Sequence, residues 1–271
     1  MISVVVPTHN RAHLISRTVV SIQQQTYTDW ELLIVDDGST DNTKQVVEGL
    51  LSDKRIRYIQ KENSGAAESR NVGVRNASSE LITFLDSDDE AEPQWLEKMF
   101  ALIGKDEKVP CAFCGLSIHD EHGNKTDAKV PTKKGPLFQY EVCRFTNAGI
   151  FIMRKKYFDA VGGYDSKLRA NQHTELGIRL IQYFKKHGLE TKYILDTLIR
   201  INIHTGPRIR TNNKAKYEGT KRLFFKHKNL ILKDEKSKKD VTKVLLYLAI
   251  KFKNVKDIIL FSYYYMYSRV V

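Results

Sequence analysis

Residues 30–41 read Trp30-Glu-Leu-Leu-Ile-Val-Asp-Asp-Gly-Ser-Thr-Asp41, an apolar run that stops abruptly at acidic and turn-forming residues. A short, continuous apolar run of this kind is typical of a strand that is buried on both faces of a sheet. It predicts a buried strand over Leu32–Val35, so Asp36 and Asp37 fall at its carboxyl end. The sequence on either side repeats this organisation and thereby decides the fold class.

Further strands of the same type are predicted upstream and downstream of this stretch. These strands cover Ile2–Val6, Ile56–Ile59 and Leu81–Leu85. Helices are predicted between the strands: one over His13–Gln25, one that begins after a cap at Thr40 or Asp41, and one over Ala67–Asn76. Strands that alternate with helices at this spacing predict an α/β fold with a doubly wound, mostly parallel, Rossmann-like sheet. Ligands of such sheets bind beyond the carboxyl ends of the strands, where the acids of this chain fall.

The pattern changes in the second half of the chain. The sequence predicts a helix from Pro93 to about Ile103, strands and loops over 111–165, a helix over Glu175–His187, a strand over Tyr193–Leu195, and basic helices over Val241–Phe252 and Val255–Tyr267. Because composition shifts near residue 210, we predict an α/β domain over 1–210 and a basic helical region over 211–271.

The net charge of +12 is confined to the carboxyl-terminal part of the chain. Residues 205–271 hold 17 Lys and Arg against 5 Asp and Glu, so residues 1–204 are neutral overall. A basic tail on a neutral body suggests an anionic partner surface. No nucleic-acid-binding motif accompanies the charge, so we expect no nucleic-acid partner. Lys and Arg interleaved with apolar residues suit helices lying on an anionic membrane, or a helical subdomain packed on the body.

The cysteine content and the hydropathy of the chain indicate its location in the cell. The three cysteines are few and odd in number, which fits a reducing compartment. Cys111 and Cys114 have CxxC spacing, but their apolar surroundings favour a buried strand over a redox or zinc site. The chain enters its first strand without a charged leader, and no apolar run approaches the roughly 20 residues that span a bilayer. We therefore expect a cytoplasmic protein with peripheral contact to the inner face of the plasma membrane.

Motifs at the predicted strand ends carry the candidate chemistry. Asp86-Ser87-Asp88 puts two carboxylates where both can reach one cation, and oxygen ligands favour Mg²⁺ or Mn²⁺ held jointly with substrate phosphates. A solvated turn is the alternative for this motif alone. Asp36-Asp37-Gly38-Ser39 can accept hydrogen bonds from a base or a ribose, or can cap a helix. Arg70, at a predicted helix start, can meet a phosphate or be a surface residue.

Taken together, the order and spacing of these motifs resemble the family 2 glycosyltransferases, inverting enzymes of the GT-A fold that include bacterial cell-surface polysaccharide enzymes. The matching residues are Ser3-Val-Val-Val-Pro-Thr-His-Asn-Arg11, Trp30 to Asp41, Asn63-Ser-Gly through Arg70-Asn-Val-Gly73, and Phe84-Leu-Asp-Ser-Asp-Asp89. They cover about residues 1–100, and a looser match continues through Gly162-Gly163-Tyr164-Asp165 to Leu176. The resemblance implies that about 1–100 bind a nucleotide-sugar and that 101–210 form the acceptor side.

The resemblance implies a nucleotide pocket. Pro7 and Thr8 match the segment that lines it, with Asn10 in the same loop. Asp37 matches the acid that recognises the donor base, commonly uracil, with Asp36 beside it.

The resemblance also implies a metal and diphosphate site. Asp86 and Asp88 match the DxD acids, with Asp88 the more direct ligand of Mg²⁺ or Mn²⁺. Asp86 also lies beside the donor nucleotide, and Arg70 matches a position near the diphosphate. His204 matches a histidine near the metal or diphosphate, with Arg208 on the same loop; a structural histidine is the alternative.

The sequence departs from the family where the catalytic base is expected. Family members carry a Glu-Asp pair ahead of a helix, whereas this chain has Gln172 and His173. His173 is one candidate, because a neutral imidazole with a pKa near 6.5 accepts a proton near neutrality. Glu175 is the competing candidate, and a site that has lost activity is the third interpretation.

These implications give an expected function. The chain would be a metal-dependent inverting glycosyltransferase that moves a sugar from a nucleotide-sugar, expected to be a UDP-sugar, to a hydroxyl of a glycan or lipid-linked acceptor. Asp89 and Trp95 would contact acceptor or donor sugar, a core tryptophan being the alternative for Trp95. The alternative function is a non-catalytic nucleotide-sugar or carbohydrate binder.

Overall fold

One sheet runs through the part of the chain that the computed structural model describes, residues 1–104, 106–131, 145–203 and 212–266. Its strands are β1 (Ile2–Thr8), β2 (Trp30–Asp36), β3 (Ile56–Gln60), β4 (Leu81–Phe84), β5 (Glu90–Ala91), β6 (Cys111–His119), β7 (Lys125–Lys129), β8 (Phe151–Arg154) and β9 (Lys192–Asn202). They lie in the order β3-β2-β1-β4-β8-β6-β9-β5, and β7 pairs with β6.

The first four strands form a parallel half-sheet. Helices α1 (Ile15–Gln23), α2 (Thr43–Glu48) and α3 (Ala66–Asn76) connect them in turn. The register pairs Thr8 with Asp36 and Asp36 with Gln60, so three neighbouring strands end at the same level. The predicted α/β fold with a Rossmann-like parallel sheet is confirmed.

The second half of the sheet is mixed. Strand β8 runs antiparallel to both β4 and β6, while β6 and β9 are parallel. Helices α4 (Trp95–Ile103), α5 (Lys155–Ala160) and α6 (Gln172–Lys186) accompany these strands. Cys111 and Cys114 lie buried on β6, as predicted, and Cys143 lies outside the described residues.

A close contact between α3 and β1 fixes the helix that carries Arg70. A Cβ atom at Gly73 would lie 2.2 Å from Cγ1 of Val5, so glycine is needed for this approach. Val5 is itself fully buried in the core of the sheet. Arg70 lies one turn before Gly73 on α3, so the same contact sets the position of its side chain.

The carboxyl-terminal region is helical, in agreement with the predicted secondary structure. It forms α7 (Asn213–Lys226), α8 (Lys228–Lys233), α9 (Glu235–Lys251) and α10 (Val255–Met266). Helix α7 packs on the body: a Cβ atom at Gly219 would lie 2.7 Å from the carbonyl oxygen of Ala170. Asn171 Nδ2 also donates to Oγ1 of Thr220 over 2.9 Å. The boundary near residue 210 stays a prediction, because residues 204–211 lie outside the described ranges.

None of the helices in the described ranges combines the length and the apolar character needed to cross a membrane.

Candidate active site

A cleft of about 730 Å³ opens at the carboxyl edge of the parallel strands, among the loops that follow β1, β2 and β4. Eight residues singled out from the sequence line it: Pro7, Thr8, Asn10, Asp37, Arg70, Asp86, Asp88 and Asp89. Because neighbouring parallel strands end at the same level, motifs far apart in the chain meet at this edge.

Asp37 lines the cleft with its carboxylate already bound by the loop that precedes α3. Oδ1 accepts hydrogen bonds from Lys61 Nζ and, at 2.8 Å, from the Ser64 N–H, and Oδ2 accepts one from the Gly65 N–H at 2.7 Å. Burial alone would raise the pKa of Asp37, but Lys61 and the two amides outweigh burial and hold this pKa below its ordinary value. A fixed, ionised carboxylate suits recognition of an N–H donor such as that of a nucleobase.

Asp36 is fully buried and is not among the described residues that line the cleft. Its carboxylate accepts hydrogen bonds from the Ser39 N–H at 2.8 Å and from the Tyr58 hydroxyl. This corrects the expectation that Asp36 contacts the nucleotide. Successive side chains along a strand point to opposite sides, so Asp36 shapes the turn from within while Asp37 faces the cleft.

Asn10 joins the loops that follow β1 and β2. Its backbone is left-handed, with φ 52°, and its Oδ1 accepts a hydrogen bond from the Thr40 N–H at 2.8 Å. Its own N–H donates to Ser39 Oγ over 2.8 Å. The neighbouring His9, which the sequence analysis did not single out, lines the cleft beside Asn63. These contacts hold the two loops together at the edge of the cleft.

Arg70 links the acid-rich loop after β4 to the start of α6. Its Nη2 donates to Asp86 Oδ1 over 2.6 Å, and its Nη1 donates to Gln172 Oε1 over 2.7 Å. Gln172 Nε2 in turn donates to the carbonyl of Leu168 over 2.8 Å. The Arg70 side chain is 4% exposed, and its Nε is buried without a hydrogen-bond partner in the described part of the chain. Arg70 is therefore a buried cation in the cleft wall, paired with the carboxylate of Asp86.

The loop that carries Asp88 and Asp89 is fixed through its backbone. Arg17 Nη2 donates to the Asp88 carbonyl over 2.6 Å, and Thr18 Oγ1 donates to the Asp89 carbonyl over 2.7 Å. Asp89 is buried, and its Oδ1 accepts a hydrogen bond from the Asn202 N–H at 3.2 Å. Contacts from α1 and β9 therefore hold the loop at the cleft.

Asp86 and Asp88 provide a donor set that fits a hard divalent cation. Both are carboxylates on one loop, and both line the cleft. Within the described ranges no group of three or more His, Cys, Asp and Glu side chains converges on one point. Mg²⁺ needs fewer protein ligands than that, because it is commonly held by one or two carboxylates together with substrate phosphates. His204, the third predicted ligand, lies outside the described residues.

His173 lies against aromatic rings, in the first turn of α6. Its Nδ1 is 2.9 Å from the Tyr164 hydroxyl, and ring centroids of Tyr164 and Phe151 lie 5.5 Å and 6.0 Å away. Burial, together with the nearby charge of Arg70, lowers the pKa of His173 to about 3. His173 is not among the described residues that line the cleft. This corrects the premise of an imidazole with an ordinary pKa beside the acceptor.

Glu175 is wholly buried and surrounded by nitrogen atoms of basic side chains. Its oxygens lie 2.6 Å from Arg179 Nη2, 2.8 Å from Lys226 Nζ and 3.0 Å from His227 Nε2. Burial would raise the pKa of Glu175, but hydrogen bonds from His227, Arg179 and Lys226 hold it far below its ordinary value. Glu175 is also absent from the described lining of the cleft, so the structure corrects its assignment as a base that faces the acceptor.

Comparison with known proteins identifies the family. A model described as glycosyl transferase family 2 matches residues 3–162, more than half of the chain. The chain belongs to this family.

Individual relatives agree with the family match. An uncharacterized glycosyltransferase of Rickettsia conorii is 29% identical over 194 residues, which is 69% of this chain and 32% of that protein. UDP-Glc:alpha-D-GlcNAc-diphosphoundecaprenol beta-1,3-glucosyltransferase WfgD of Escherichia coli is 45% identical over 91 residues, which is 33% of this chain and 35% of that protein. The chain thus spans about a third of the length of these two relatives.

A solved structure shares the fold. TarS residues 1–349 of S. aureus, in complex with UDP-GlcNAc, superimposes with a TM-score of 0.66 at 19% identity. The alignment covers 93% of this chain and 73% of that chain. The GT-A-type fold that the sequence motifs implied for this family 2 member is therefore confirmed.

Trp95 is part of the core of this family 2 fold. It is fully buried, and its Nε1 donates to the carbonyl of Gly149 over 2.9 Å. Its ring therefore cannot face a sugar, which corrects that expectation and supports the alternative of a core tryptophan. Trp95 begins an amphipathic helix, and its indole belongs to the hydrophobic core.

Further residues of this family 2 chain line the cleft from its second half, among them Arg169, Asn212, Lys214 and Glu218. Arg169 precedes α6, Asn212 caps α7, and Lys214 and Glu218 lie on α7. The packing of α7 on Ala170 and Asn171 brings the last three to the cleft, and no sequence motif marks these three. The basic composition of the carboxyl-terminal helical region suggested an anionic partner, but it did not indicate which side chains of that region line the cleft.

Proposed function

We propose that the chain is a glycosyltransferase that moves a sugar from a UDP-sugar to a hydroxyl of a glycan or lipid-linked acceptor in cell-surface polysaccharide biosynthesis. The main support is the convergence of Asp37, Arg70, Asp86 and Asp88 on one cleft of a family 2 body. One relative is named for a UDP-glucose donor and a diphosphoundecaprenol acceptor, and a structural neighbour was solved with UDP-GlcNAc.

Each cleft residue has a task in this proposal. Asp37, held by Lys61 and two amides, accepts a hydrogen bond from the base of the donor. Arg70, whose guanidinium is buried in the cleft wall and paired with Asp86, contributes positive charge on the diphosphate side of the cleft. A divalent cation, when bound by Asp86 and Asp88, would supply charge neutralisation for the leaving diphosphate.

The proposed reaction is a single displacement. The cleft holds an acceptor hydroxyl against the anomeric carbon, and this proximity lowers the barrier to attack. Because no covalent intermediate is used, an α-linked donor gives a β-linked product. NMR of the new linkage tests this directly, and a product with retained configuration would exclude the proposed reaction.

Donor binding is tested by a thermal-shift screen. UDP-, GDP- and dTDP-sugars are each added to the protein with Mn²⁺, with Mg²⁺ or with EDTA. A ligand that binds the folded state raises the melting temperature according to its occupancy, so we expect the largest rise with a UDP-sugar and a cation. A rise that is equal for all three bases, or that persists in EDTA, would contradict the assigned donor and metal.

A non-catalytic nucleotide-sugar binder is the second candidate. It is favoured by one observation, that neither His173 nor Glu175 lies among the described residues lining the cleft. Release of UDP from a UDP-sugar in the presence of Mn²⁺, at a rate proportional to protein concentration, would exclude this candidate.

We also propose that an exposed patch on α9 and α10 contacts anionic lipid, which would keep the protein at the inner face of the plasma membrane. This α9–α10 patch consists of Ile250, Phe252, Val255 and Ile259, each between 42% and 67% exposed, with exposed Lys251, Lys253 and Lys256 among them. Apolar side chains that can enter the interface, interleaved with lysines that meet anionic headgroups, are the features of interfacial helices.

Vesicle flotation tests the patch. We expect the protein to float with phosphatidylglycerol vesicles but not with phosphatidylcholine vesicles, and the double substitution Phe252→Ser with Ile259→Ser to abolish flotation. Leu195→Ser, a change of an equally exposed apolar residue on β9, is the matched control and should float like the wild type. Flotation that the double substitution leaves unchanged would refute the role of this patch.

A further inference from the structure

Five carboxylates line the cleft in the described part of the chain, and four of them belong to the strand-end loops. Asp37 is bound by Lys61 and two backbone amides, and Asp86 by Arg70. Asp89 is buried and accepts a hydrogen bond from Asn202. Asp88 shares its loop with Asp86 and is assigned to the cation. These four are therefore occupied with holding the loops, the cation or the donor.

The fifth carboxylate, Glu218, belongs to a different element. It projects from α7 into the cleft, it is exposed, and it makes no hydrogen bond or ion pair with any other residue in the described ranges. His173 and Glu175 are not among the described residues that line the cleft, so Glu218 is the carboxylate that the second half of the described chain brings to it.

The backbone around Glu218 is fixed by contacts on both sides. The preceding residue, Tyr217, donates its hydroxyl hydrogen to Asp257. The following residue, Gly219, lies so close to Ala170 that a Cβ atom would be 2.7 Å from its carbonyl oxygen. Helix α7 is also capped, because Asn212 Oδ1 accepts a hydrogen bond from the Ala215 N–H at 3.0 Å. A side chain on such a helix is positioned more reproducibly than one on a loop.

A chain of contacts connects α7 to the donor side of the cleft. Thr220 Oγ1 accepts from Asn171 over 2.9 Å, and the next residue along the chain, Gln172, accepts from Arg70 over 2.7 Å. Arg70 in turn binds Asp86 over 2.6 Å. The distance between Glu218 and the acid-rich loop is thereby set by packed and hydrogen-bonded groups.

We infer that Glu218 is the general base of the transfer reaction, an inference that rests on the proposed function. As the acceptor oxygen forms its bond to the anomeric carbon, the bond from that carbon to the diphosphate oxygen breaks and its electron pair leaves with the diphosphate. The acceptor proton moves to the Glu218 carboxylate, and the resulting carboxylic acid later releases this proton to solvent. General base catalysis of this kind contributes about 10²–10⁴-fold to the rate.

Release of UDP from UDP-glucose or UDP-GlcNAc, with water as acceptor and Mn²⁺ present, tests the inference. Glu218→Gln is expected to lower kcat by about 10²–10⁴-fold, to leave the donor KM and the donor-induced thermal shift unchanged, and to remove the acidic limb of the pH–rate profile. Glu218→Asp, which keeps the carboxylate, should retain that limb and part of the rate. Glu190→Gln, a change of an exposed acid outside the cleft lining, is the matched control and should behave as wild type.

The outcomes separate two kinds of failure. Glu218→Gln with turnover within about threefold of wild type, or with an unchanged acidic limb, would overturn the base assignment while leaving the proposed function intact. A fall in kcat accompanied by loss of the donor-induced thermal shift would indicate a structural role and overturn it as well. A wild-type protein that neither releases UDP nor is stabilised by any UDP-sugar would overturn both.

Discussion

The edge of the parallel half-sheet and the start of α6 both carry acidic side chains, and the two regions neutralise them differently. At the sheet edge, Asp86 is paired with Arg70 on the wall of an open cleft. At the start of α6, Glu175 is fully buried and surrounded by Arg179, Lys226 and His227. At the sheet edge the charged groups line a cleft that a ligand can enter. At the start of α6 the carboxylate of Glu175 only holds α6 and α7 together.

The difference shows that a carboxylate near a cleft is not thereby a catalytic group. Glu175 contacts cations from its own helix and from α7, so removing its buried carboxylate would break the ion pairs that join the two helices. The acids at the sheet edge lie on the loops that follow β2 and β4, and the pairing of both strands with β1 brings these loops together. The acids at the sheet edge can act on a ligand because they line the cleft, whereas Glu175 serves the packing of α6 against α7.

The largest expected effect is on stability. Glu175→Gln should lower the free energy of unfolding by about 3–5 kcal/mol, because a fully buried carboxylate then loses its ion pairs with Arg179 and Lys226. Since the pKa of Glu175 is lowered in the folded state, its contribution is present above its ordinary value of 4.5 and is lost as pH falls through the folded pKa. Urea denaturation at pH 7 and at pH 4 measures both effects, and the difference between wild type and variant should shrink at the lower pH. A change below 1 kcal/mol at pH 7 would contradict the structural role.

At the sheet edge, the largest effect should fall on catalysis. Asp88→Asn removes a charge from the proposed cation site, and we expect kcat to fall about 10³-fold, equivalent to ~4 kcal/mol. Stability should change little, because the loop is held by its backbone carbonyls through Arg17 and Thr18. UDP release at a range of Mn²⁺ concentrations and a thermal melt check this separation. Wild-type turnover in the variant would show that Asp88 does not serve the cation.

A smaller effect is expected where a cleft acid is held by a single cation. Lys61→Met should weaken donor binding about tenfold, or ~1.4 kcal/mol, since Asp37 keeps the amides of Ser64 and Gly65 but loses its charged partner. Titration calorimetry with UDP measures the change. Binding as tight as in the wild type would show that the two amides alone fix Asp37.

The smallest effect is expected at His173. Its pKa of about 3 keeps the ring neutral throughout the working range, so His173→Gln should alter turnover less than threefold and leave the pH–rate profile in place. A loss of the acidic limb in this variant would restore His173 as the base and remove the contrast between the two regions.

Much of the fold and of the donor side could be predicted because the relevant information is local. The run Leu32–Val35 followed by Asp36 and Asp37 marks a buried strand and its carboxyl end, and α/β connectivity then places such ends side by side. The two neighbouring acids nevertheless have different roles, because Asp36 is buried inside the turn whereas Asp37 lines the cleft. The prediction that Trp95 contacts a sugar was wrong for a similar reason. Its position in the sequence, just after the acid-rich loop, does not reveal that its side chain is buried.

By itself, then, the sequence determined the wound parallel sheet, the helical basic region and the convergence of Asp37, Arg70, Asp86 and Asp88. Hydrophobic periodicity and the ends of strands are local features, so a few consecutive residues reveal them. Only the tertiary structure decided that neither His173 nor Glu175 lines the cleft and that Glu218 of α7 does. Such roles depend on which distant surface covers a side chain. Burial and neighbouring charge, both products of long-range packing, set whether an ionisable group holds the fold together or meets a ligand.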